Sequence, residues 1–359
     1  MPLRLSAQYQ RDTNVTRFFR STIDRGNFGI VQRLDAEGKP IDQFGNPAGE
    51  PTIYRFTATA ETQRVIDERA RSTLFLRYSY EDVRLFKIES LLIADLLRPD
   101  RVVRLSTLGA SFARDTRDRP TDAARGEYLT VDYALSLREL GGNISLSKFQ
   151  STYRRYYRAG ALRNTTFAVG ASLGISNILK ARDRDGDGVV SNIDGSLPIS
   201  ERFFAGGSNT LRGFGYEEAG PRAFVRGGTF FDDNGEQVQL SPYTVPIGGN
   251  ALAVLNGEAR VPVSKNIQVV PFYDGGNVFY RARDIFSRTL RIGEDPNLSV
   301  RWTHTVGLGL RFKTPFGPLG IDYGFLLSRP EFTLAPDQGG PATSTLKRGQ
   351  LHFRFGQSF

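Results

Sequence analysis

The stretch of this sequence best suited to bind a ligand is an aspartate-rich loop. In DRDGDGVVSNID, carboxylates occupy positions 1, 3, 5 and 12 of the loop, from Asp183, Asp185, Asp187 and Asp194. Hard oxygen ligands at this spacing, with a glycine at position 6 for the sharp turn, are typical of calcium loops. The bidentate glutamate usual at the last position is here the shorter Asp194. Two hypotheses stay open: a Ca²⁺ site, and a polar turn that binds nothing.

The sequence offers no comparable pattern for an enzyme. It contains no cysteine and two histidines, His304 and His352, and His352 alternates with apolar residues as in an ordinary strand. The segment GGSNTLRG lacks the Gly-Lys-Ser/Thr ending of a phosphate-binding loop, and no carboxylate pair stands out from the rest. We therefore expect no catalytic residues and no required cofactor.

The charge of the chain does not indicate a nucleic acid partner. Lys and Arg total 47 against 38 Asp and Glu, a net charge of +9. The basic residues are scattered singly along alternating segments and form no dense run, so no nucleic acid is expected to bind. The absence of cysteine suits a protein that passes through an oxidising compartment.

The elements that must position any functional residue are strands with a period of two. In THTVGLGLRFKTP, Val306, Leu308 and Leu310 fall on one face, while Arg311 and Lys313 fall on the other. The segments LGIDYGFLL and LHFRFGQSF alternate in the same way. One apolar and one polar face indicate half-buried antiparallel strands.

Two architectures share this pattern, a soluble sandwich and a transmembrane barrel. Strands of about 10 residues are long enough to cross a membrane at a tilt. Tight turns such as KTPFGPLG and VPVSKNIQ alternate with long polar loops at 284–300 and 329–347. Tyrosine and phenylalanine, 14 and 26 in number, gather near strand ends. We predict an all-β chain forming a transmembrane antiparallel β-barrel of the bacterial outer-membrane type, with about thirteen or fourteen strands.

Five motifs, in chain order, carry a family resemblance. They are ARDTRDRPTDAARGEY, ERFFAGGSNTLRGF, GGNALAVLNGEARVP, VVPFYDGG and VGLGLRFKTPFGPLGIDYG, followed by a terminal strand that ends in phenylalanine. Together they cover roughly residues 105–359 and resemble the surface-antigen barrel of the outer-membrane assembly-factor superfamily, the BamA/TamA-like proteins. The resemblance implies about sixteen strands and periplasmic POTRA domains, which this chain does not contain. We expect the chain to begin partway through a longer precursor.

The resemblance also gives a role to the glycine-rich segment ERFFAGGSNTLRGFGYEEAG. It implies that an Arg-Gly-Phe tip on an extracellular loop folds back into the barrel and contacts an aspartate and an aromatic residue on a later strand. A buried guanidinium needs such partners to offset the cost of desolvation. Glu258, on the polar face of the neighbouring predicted strand, is a second candidate acceptor for the arginine. We name this predicted contact the loop lock, and it comprises Arg212, Gly213, Phe214, Phe272, Asp274 and Glu258. The alternative is a mobile loop with a solvated arginine.

The expected organisation is a single barrel domain over residues 1–359, with a long inserted extracellular loop at about 177–249. The terminal-strand signal would comprise Phe353, Phe355 and Phe359. The expected function is insertion or translocation of other proteins at the bacterial outer membrane. Expected partners are outer-membrane lipids, unfolded or secreted client proteins, and periplasmic or lipoprotein accessory factors. The alternatives are a two-partner secretion pore, a passive porin, or a surface calcium-binding structural barrel.

Overall fold

The computed structural model describes most of the chain. The described residues are 2–12, 33–91, 94–97, 100–180, 197–225, 228–231, 236–240, 242–286, 296–298, 300–314, 317–334 and 342–355. The aspartate-rich loop at Asp183, Asp185, Asp187 and Asp194 lies outside these residues, as does Phe359.

One twelve-stranded antiparallel sheet makes up the body of the fold. Its strands, in sheet order, are β1 (Leu3–Asp12), β2 (Thr52–Asp67), β3 (Ser72–Phe86), β4 (Val102–Asp115), β5 (Gly126–Ser136), β6 (Ser145–Ala159), β7 (Thr165–Lys180), β12 (Ala251–Pro262), β13 (Ile267–Phe279), β14 (Thr303–Thr314), β15 (Gly317–Leu326) and β18 (Gly349–Phe355). Most of these strands are far longer than the five or six residues usual in soluble sheets.

Shorter elements lie in the connections between the long strands. Three two-stranded antiparallel sheets are formed by β8 (Arg222–Val225) with β11 (Tyr243–Pro246), β9 (Gly228–Phe231) with β10 (Gln237–Leu240), and β16 (Glu331–Leu334) with β17 (Ala342–Thr345). The one α-helix of the described residues is α1 (Ala94–Leu97), and 3₁₀ turns occupy Ile88–Ser90, Arg138–Leu140, Ile199–Glu201, Ala282–Phe286 and Pro296–Leu298. Within the described part of the chain, no helix has the length and apolar character needed to span a membrane.

The apolar faces of the strands point outward, and the polar faces point inward. In β14, Val306 and Leu308 are exposed, while Thr305 and Arg311 are buried. In β18, Phe353 is 71% exposed between inward-facing neighbours. This is the inverse of a soluble sheet and the arrangement of an outer-membrane barrel, in which lipid covers the apolar face. The predicted fold class is confirmed.

The two ends of the barrel differ in the length of their connections. At one end the strands join through residues 68–71, 116–125, 160–164, 263–266 and 315–316, and at the other through 13–51, 87–101, 137–144, 181–250, 280–302 and 327–348. Short turns face the periplasm and long loops face the exterior in outer-membrane barrels. The long-loop end is therefore the extracellular end.

The strand count of the described sheet is lower than the thirteen or fourteen expected from the pattern. One or two of the expected strands fell within residues 15–34, most of which lie outside the described residues. In the described part of the chain, β1 and β18 stand at the two ends of the strand order, and each is paired with one neighbour.

An apolar cluster occupies the inner side of the barrel near the long-loop end. It joins inward-facing strand residues such as Ile53, Val83 and Leu105 to loop residues such as Leu197 and Val245. Loops that bury apolar side chains against the inner wall fill space that a porin leaves to water.

Candidate functional site

The glycine-rich segment is held in place by backbone bonds at its base and its tip. At the base, Phe203 and Gly249 exchange two backbone hydrogen bonds of 2.8 and 3.0 Å. The chain then turns at Gly206 and Gly207, whose φ angles of +119° and +95° suit glycine and few other residues. The N–H of Gly207 donates to the carbonyl oxygen of Phe214 over 3.1 Å and closes the tip.

Arg212, at this tip, is 1% exposed and meets two carboxylates and one aromatic ring. Its Nε and Nη2 donate to the two oxygens of Asp274 at 2.8 and 2.6 Å, and its backbone N–H donates to the same carboxylate at 3.0 Å. Nη1 donates to Glu258 at 2.5 Å. The guanidinium carbon lies 3.5 Å from the ring centroid of Phe272. A planar guanidinium uses its edge and its face together here, so its charge is offset on every side.

The tip approaches the inner wall so closely that two glycines are required. A Cβ at Gly213 would lie 2.3 Å from Thr305 Oγ1, and a Cβ at Gly324 would lie 2.2 Å from the carbonyl oxygen of Arg212. That carbonyl also accepts a hydrogen bond from His352 Nε2, at 3.0 Å. The tip therefore contacts β14, β15 and β18 as well as the strands that hold its arginine.

Glu258 is the centre of a larger charge network. Besides the loop arginine, its carboxylate binds Arg260 at 3.1 Å and lies 3.6 Å from Arg311 and 3.8 Å from Arg354. Asp322 binds the last two, at 2.6 Å from Arg311 and 2.8 Å from Arg354. Four guanidinium groups thus share three buried carboxylates, so each carboxylate is bonded to at least one guanidinium and these seven side chains carry one positive charge in excess.

The network also reaches the short-turn end of the barrel. Arg260 Nη1 donates to the carbonyl oxygen of Ala123, in the turn between β4 and β5, over 3.2 Å. Its guanidinium carbon lies 5.5 Å from the ring centroid of Tyr156. The turn itself is ordered by Asp118, whose carboxylate accepts the backbone N–H groups of Ala124 at 2.9 Å and Arg125 at 3.2 Å. Contacts therefore run without a gap from the extracellular loop tip to a periplasmic turn.

The structure brings the six residues of the predicted loop lock into one buried contact: Arg212, Gly213, Phe214, Phe272, Asp274 and Glu258. The residues of the predicted terminal-strand signal lie elsewhere, since Phe353 and Phe355 face outward on β18. The possible calcium ligands fall outside the described residues, and the described part of the chain holds no cluster of three or more His, Cys, Asp or Glu suited to a metal.

Sequence reasoning missed the wider network around Glu258. The alternation had placed Arg311, Asp322 and Arg354 on polar faces, but it gave no register between strands. In the sheet Gly320 stands beside both Arg311 and Arg354, and Gly309 stands beside Asp322. Glycines on the polar faces of these strands were the available signal for the network, since a glycine beside a long charged side chain leaves room for its guanidinium to reach the next strand.

The family model for the Omp85 superfamily domain matches residues 4–359, almost the whole chain. The chain belongs to the Omp85 superfamily. Among curated relatives, it is 25% identical over 255 residues to the outer membrane protein assembly factor BamA of Nitratidesulfovibrio vulgaris. That match covers 69% of this chain and 25% of the relative, so the chain spans about a quarter of that protein. As an Omp85 domain, the chain is located in the bacterial outer membrane.

One solved structure supports the barrel fold. BamA from Haemophilus ducreyi lacking POTRA domains 1–3 superposes with a TM-score of 0.58 at 16% identity, covering 86% of this chain and 55% of that one. CdiB from Acinetobacter baumannii covers 99% of this chain and 48% of its own, with a TM-score of 0.43 at 15% identity.

Proposed function

We propose that this chain is the barrel of an outer-membrane assembly factor, which helps insert or translocate other proteins. The observation that carries the proposal is the loop lock: an extracellular loop reaches into the barrel and is fixed there by Arg212 on Asp274, Glu258 and Phe272. The loop occupies interior space that an open channel for small solutes leaves to water. The relative named an outer membrane protein assembly factor supports the same function.

The mechanism needs no nucleotide and no catalytic side chain. Client strands would pair with backbone groups of the barrel, because unpaired N–H and C=O groups are costly within lipid. The locked loop would hold the inner wall of β12–β15 in one shape while the strands at the ends of the sheet order accommodate the client. We also propose that the chain acts on client proteins together with accessory factors, and that clients pair at a seam between the first and last strands of the sheet order.

Depletion of the protein in its bacterial host tests this function. We expect many other outer-membrane barrels to fall in abundance, as measured by quantitative proteomics of the outer membrane. Loss of a single secreted protein would instead indicate a two-partner secretion pore. Normal levels of all other outer-membrane and secreted proteins would contradict the proposal.

Complementation connects the function to the loop lock. We expect Arg212→Met to restore less of the barrel proteins than the unchanged gene at equal expression. Arg222→Met is the matched control, because Arg222 is a buried arginine of the same loop whose guanidinium binds the hydroxyl and carbonyl of Thr244. Full activity of Arg212→Met would show that the lock is dispensable.

A further inference from the structure

A basic and aromatic patch lies on the outer face of β1–β4 at the extracellular end. Its basic residues are Arg11, Arg84, Lys87 and Arg104, and its aromatic residues are Tyr9, Tyr54 and Phe86. We name these seven residues the rim patch. Most of them line a groove of about 510 Å³ that also includes Asp82 and Phe56.

The register of the strands places the rim patch on the membrane side of the barrel. Arg11 stands beside Tyr54, and Tyr54 stands beside Arg84, so all three share one face. Arg104 is flanked by Val103 and Leu105, which are buried in the inner apolar cluster, and it therefore points outward. The patch faces the region where the outer leaflet meets water.

The charges of the patch are unbalanced. Arg84 donates to Asp82 at 3.0 and 2.7 Å. Among the described residues, no carboxylate lies within ion-pair distance of Arg11, Lys87 or Arg104. Four cations thus surround one carboxylate at a height where the local surroundings are partly apolar. A ligand with negative charge would complete this site.

The aromatic residues mark the membrane interface and stiffen the patch. The rings of Tyr54 and Phe86 pack edge to face with centroids 5.4 Å apart, and Tyr9 lies 6.4 Å from Tyr54. The guanidinium of Arg11 lies 5.5 Å from the centre of the Tyr54 ring. Tyrosines gather at headgroup level in membrane proteins, so these cations stand at the level of lipid phosphates.

An apolar groove continues from the rim patch toward the membrane centre. It has a volume of about 410 Å³ and runs over Ala7, Ala58 and Ala60, between Leu5 and Tyr78. Three small side chains in a row leave a shallow channel on a surface otherwise covered by large apolar residues. The apolar lining of this channel suits an acyl chain that descends from a headgroup at the rim.

We propose that the rim patch is a binding site for an anionic lipid of the outer leaflet, which places its phosphate groups along Arg11, Arg84, Lys87 and Arg104 and an acyl chain over the alanines. Guanidinium groups bind phosphate through two parallel hydrogen bonds, and the lysine adds a mobile point charge. The site fastens β1–β3 to the lipid, at the start of the strand order.

Lipid binding to the purified protein in detergent, followed by native mass spectrometry, tests the proposal. The probes are a diphosphorylated lipid A and a neutral phosphatidylcholine. The test variant is Arg11→Gln/Lys87→Gln/Arg104→Gln, and the control is Arg64→Gln/Arg69→Gln/Arg155→Gln, which removes three exposed cations near the short-turn end. We expect affinity for lipid A to fall roughly fivefold for each rim cation removed, with the control unchanged.

Three results would overturn the proposal. The first is an equal loss of lipid A binding in the rim and control variants, and the second is equal binding of phosphatidylcholine and lipid A by the unchanged protein. The third is displacement of lipid A by excess inorganic phosphate, which would show that the site binds a free anion. Folding of each variant is checked by its heat-dependent shift in gel migration. Lys87→Gln alone, which lies beyond β3, provides the same comparison if the triple variant does not fold.

Discussion

Replacing Arg212 by methionine should release the loop tip while leaving the barrel folded. Methionine keeps much of the length of the side chain but leaves Asp274 and Glu258 without the cation that binds both. Removing one partner of a buried ion pair costs about 3–5 kcal/mol. The sheet does not depend on this contact for its backbone bonds, so the cost falls on the attachment of the loop.

Hydrogen exchange measured by mass spectrometry on peptides covering 203–220 reports this release. In the folded protein the Arg212 N–H donates to Asp274, and the Phe214 N–H donates to the Leu211 carbonyl. A loss of about 3–5 kcal/mol corresponds to exchange faster by roughly 10² to 4 × 10³-fold, since each 1.4 kcal/mol is a factor of ten. Arg212→Lys should give an exchange rate between those of the unchanged protein and Arg212→Met, because lysine keeps the positive charge but loses the paired hydrogen bonds and the ring stacking of the guanidinium.

Two comparisons decide whether the charge network causes the effect. Arg222→Met removes a buried arginine that donates to the hydroxyl and carbonyl oxygens of Thr244, and exchange at 211–214 should stay within a few-fold of the unchanged protein. The double variant Arg212→Met/Asp274→Asn should lose less than the sum of the single variants, because the two groups interact directly. An exchange rate in Arg212→Met indistinguishable from that in Arg222→Met would refute the loop lock.

Three further predictions address the tip, the periplasmic turn and the pore. Gly324→Ala should speed exchange of the tip by forcing a Cβ against the Arg212 carbonyl, while Gly257→Ala, which has open space around its Cβ, should not. Burial raises the pKa of Asp118, but backbone N–H groups from residues 124, 125 and 119 hold that pKa below its usual value. Amide protection in the 116–125 turn should therefore be present at neutral pH and lost as acid protonates the carboxyl group. Protection that Asp118→Asn leaves unchanged at neutral pH would contradict this prediction. In planar bilayers, the unchanged protein should give a small fluctuating conductance and Arg212→Met a larger one; a large steady conductance from the unchanged protein would favour a porin.

The barrel was predictable because lipid imposes a simple rule on each strand separately. Every second residue must be apolar, and this pattern can be recognised in one strand without knowledge of its neighbours. In β14, Val306, Leu308 and Leu310 fall on the apolar face and Arg311 falls on the polar face. The contact of Arg212 with Asp274 needed more than the rule, since it joins residues 62 positions apart. The motif resemblance supplied that partner, and the shared face of Phe272 and Asp274 on one strand supported it.

The wider network could not be derived from the sequence, because it depends on the register between strands. A shift of one residue between β14 and β15 would turn Arg311 away from Asp322. The contact of Arg260 with Ala123 joins residues 137 positions apart and involves a carbonyl group, which every residue possesses. No residue type can indicate such a partner.

The position of Glu258 explains why the loop and the turn belong to one arrangement. One oxygen of its carboxylate accepts from Arg212 and the other from Arg260. Arg311 and Arg354 lie 3.6 and 3.8 Å from the same carboxylate, so Glu258 keeps positive charge nearby even when one of its two bonded arginines is displaced. By linkage, any change that displacing the extracellular tip makes in the binding of Arg260 to the periplasmic turn is matched by an equal free-energy change in the tip when the turn is displaced. The contacts that join the extracellular tip to the periplasmic turn pass through three side chains, those of Arg212, Glu258 and Arg260.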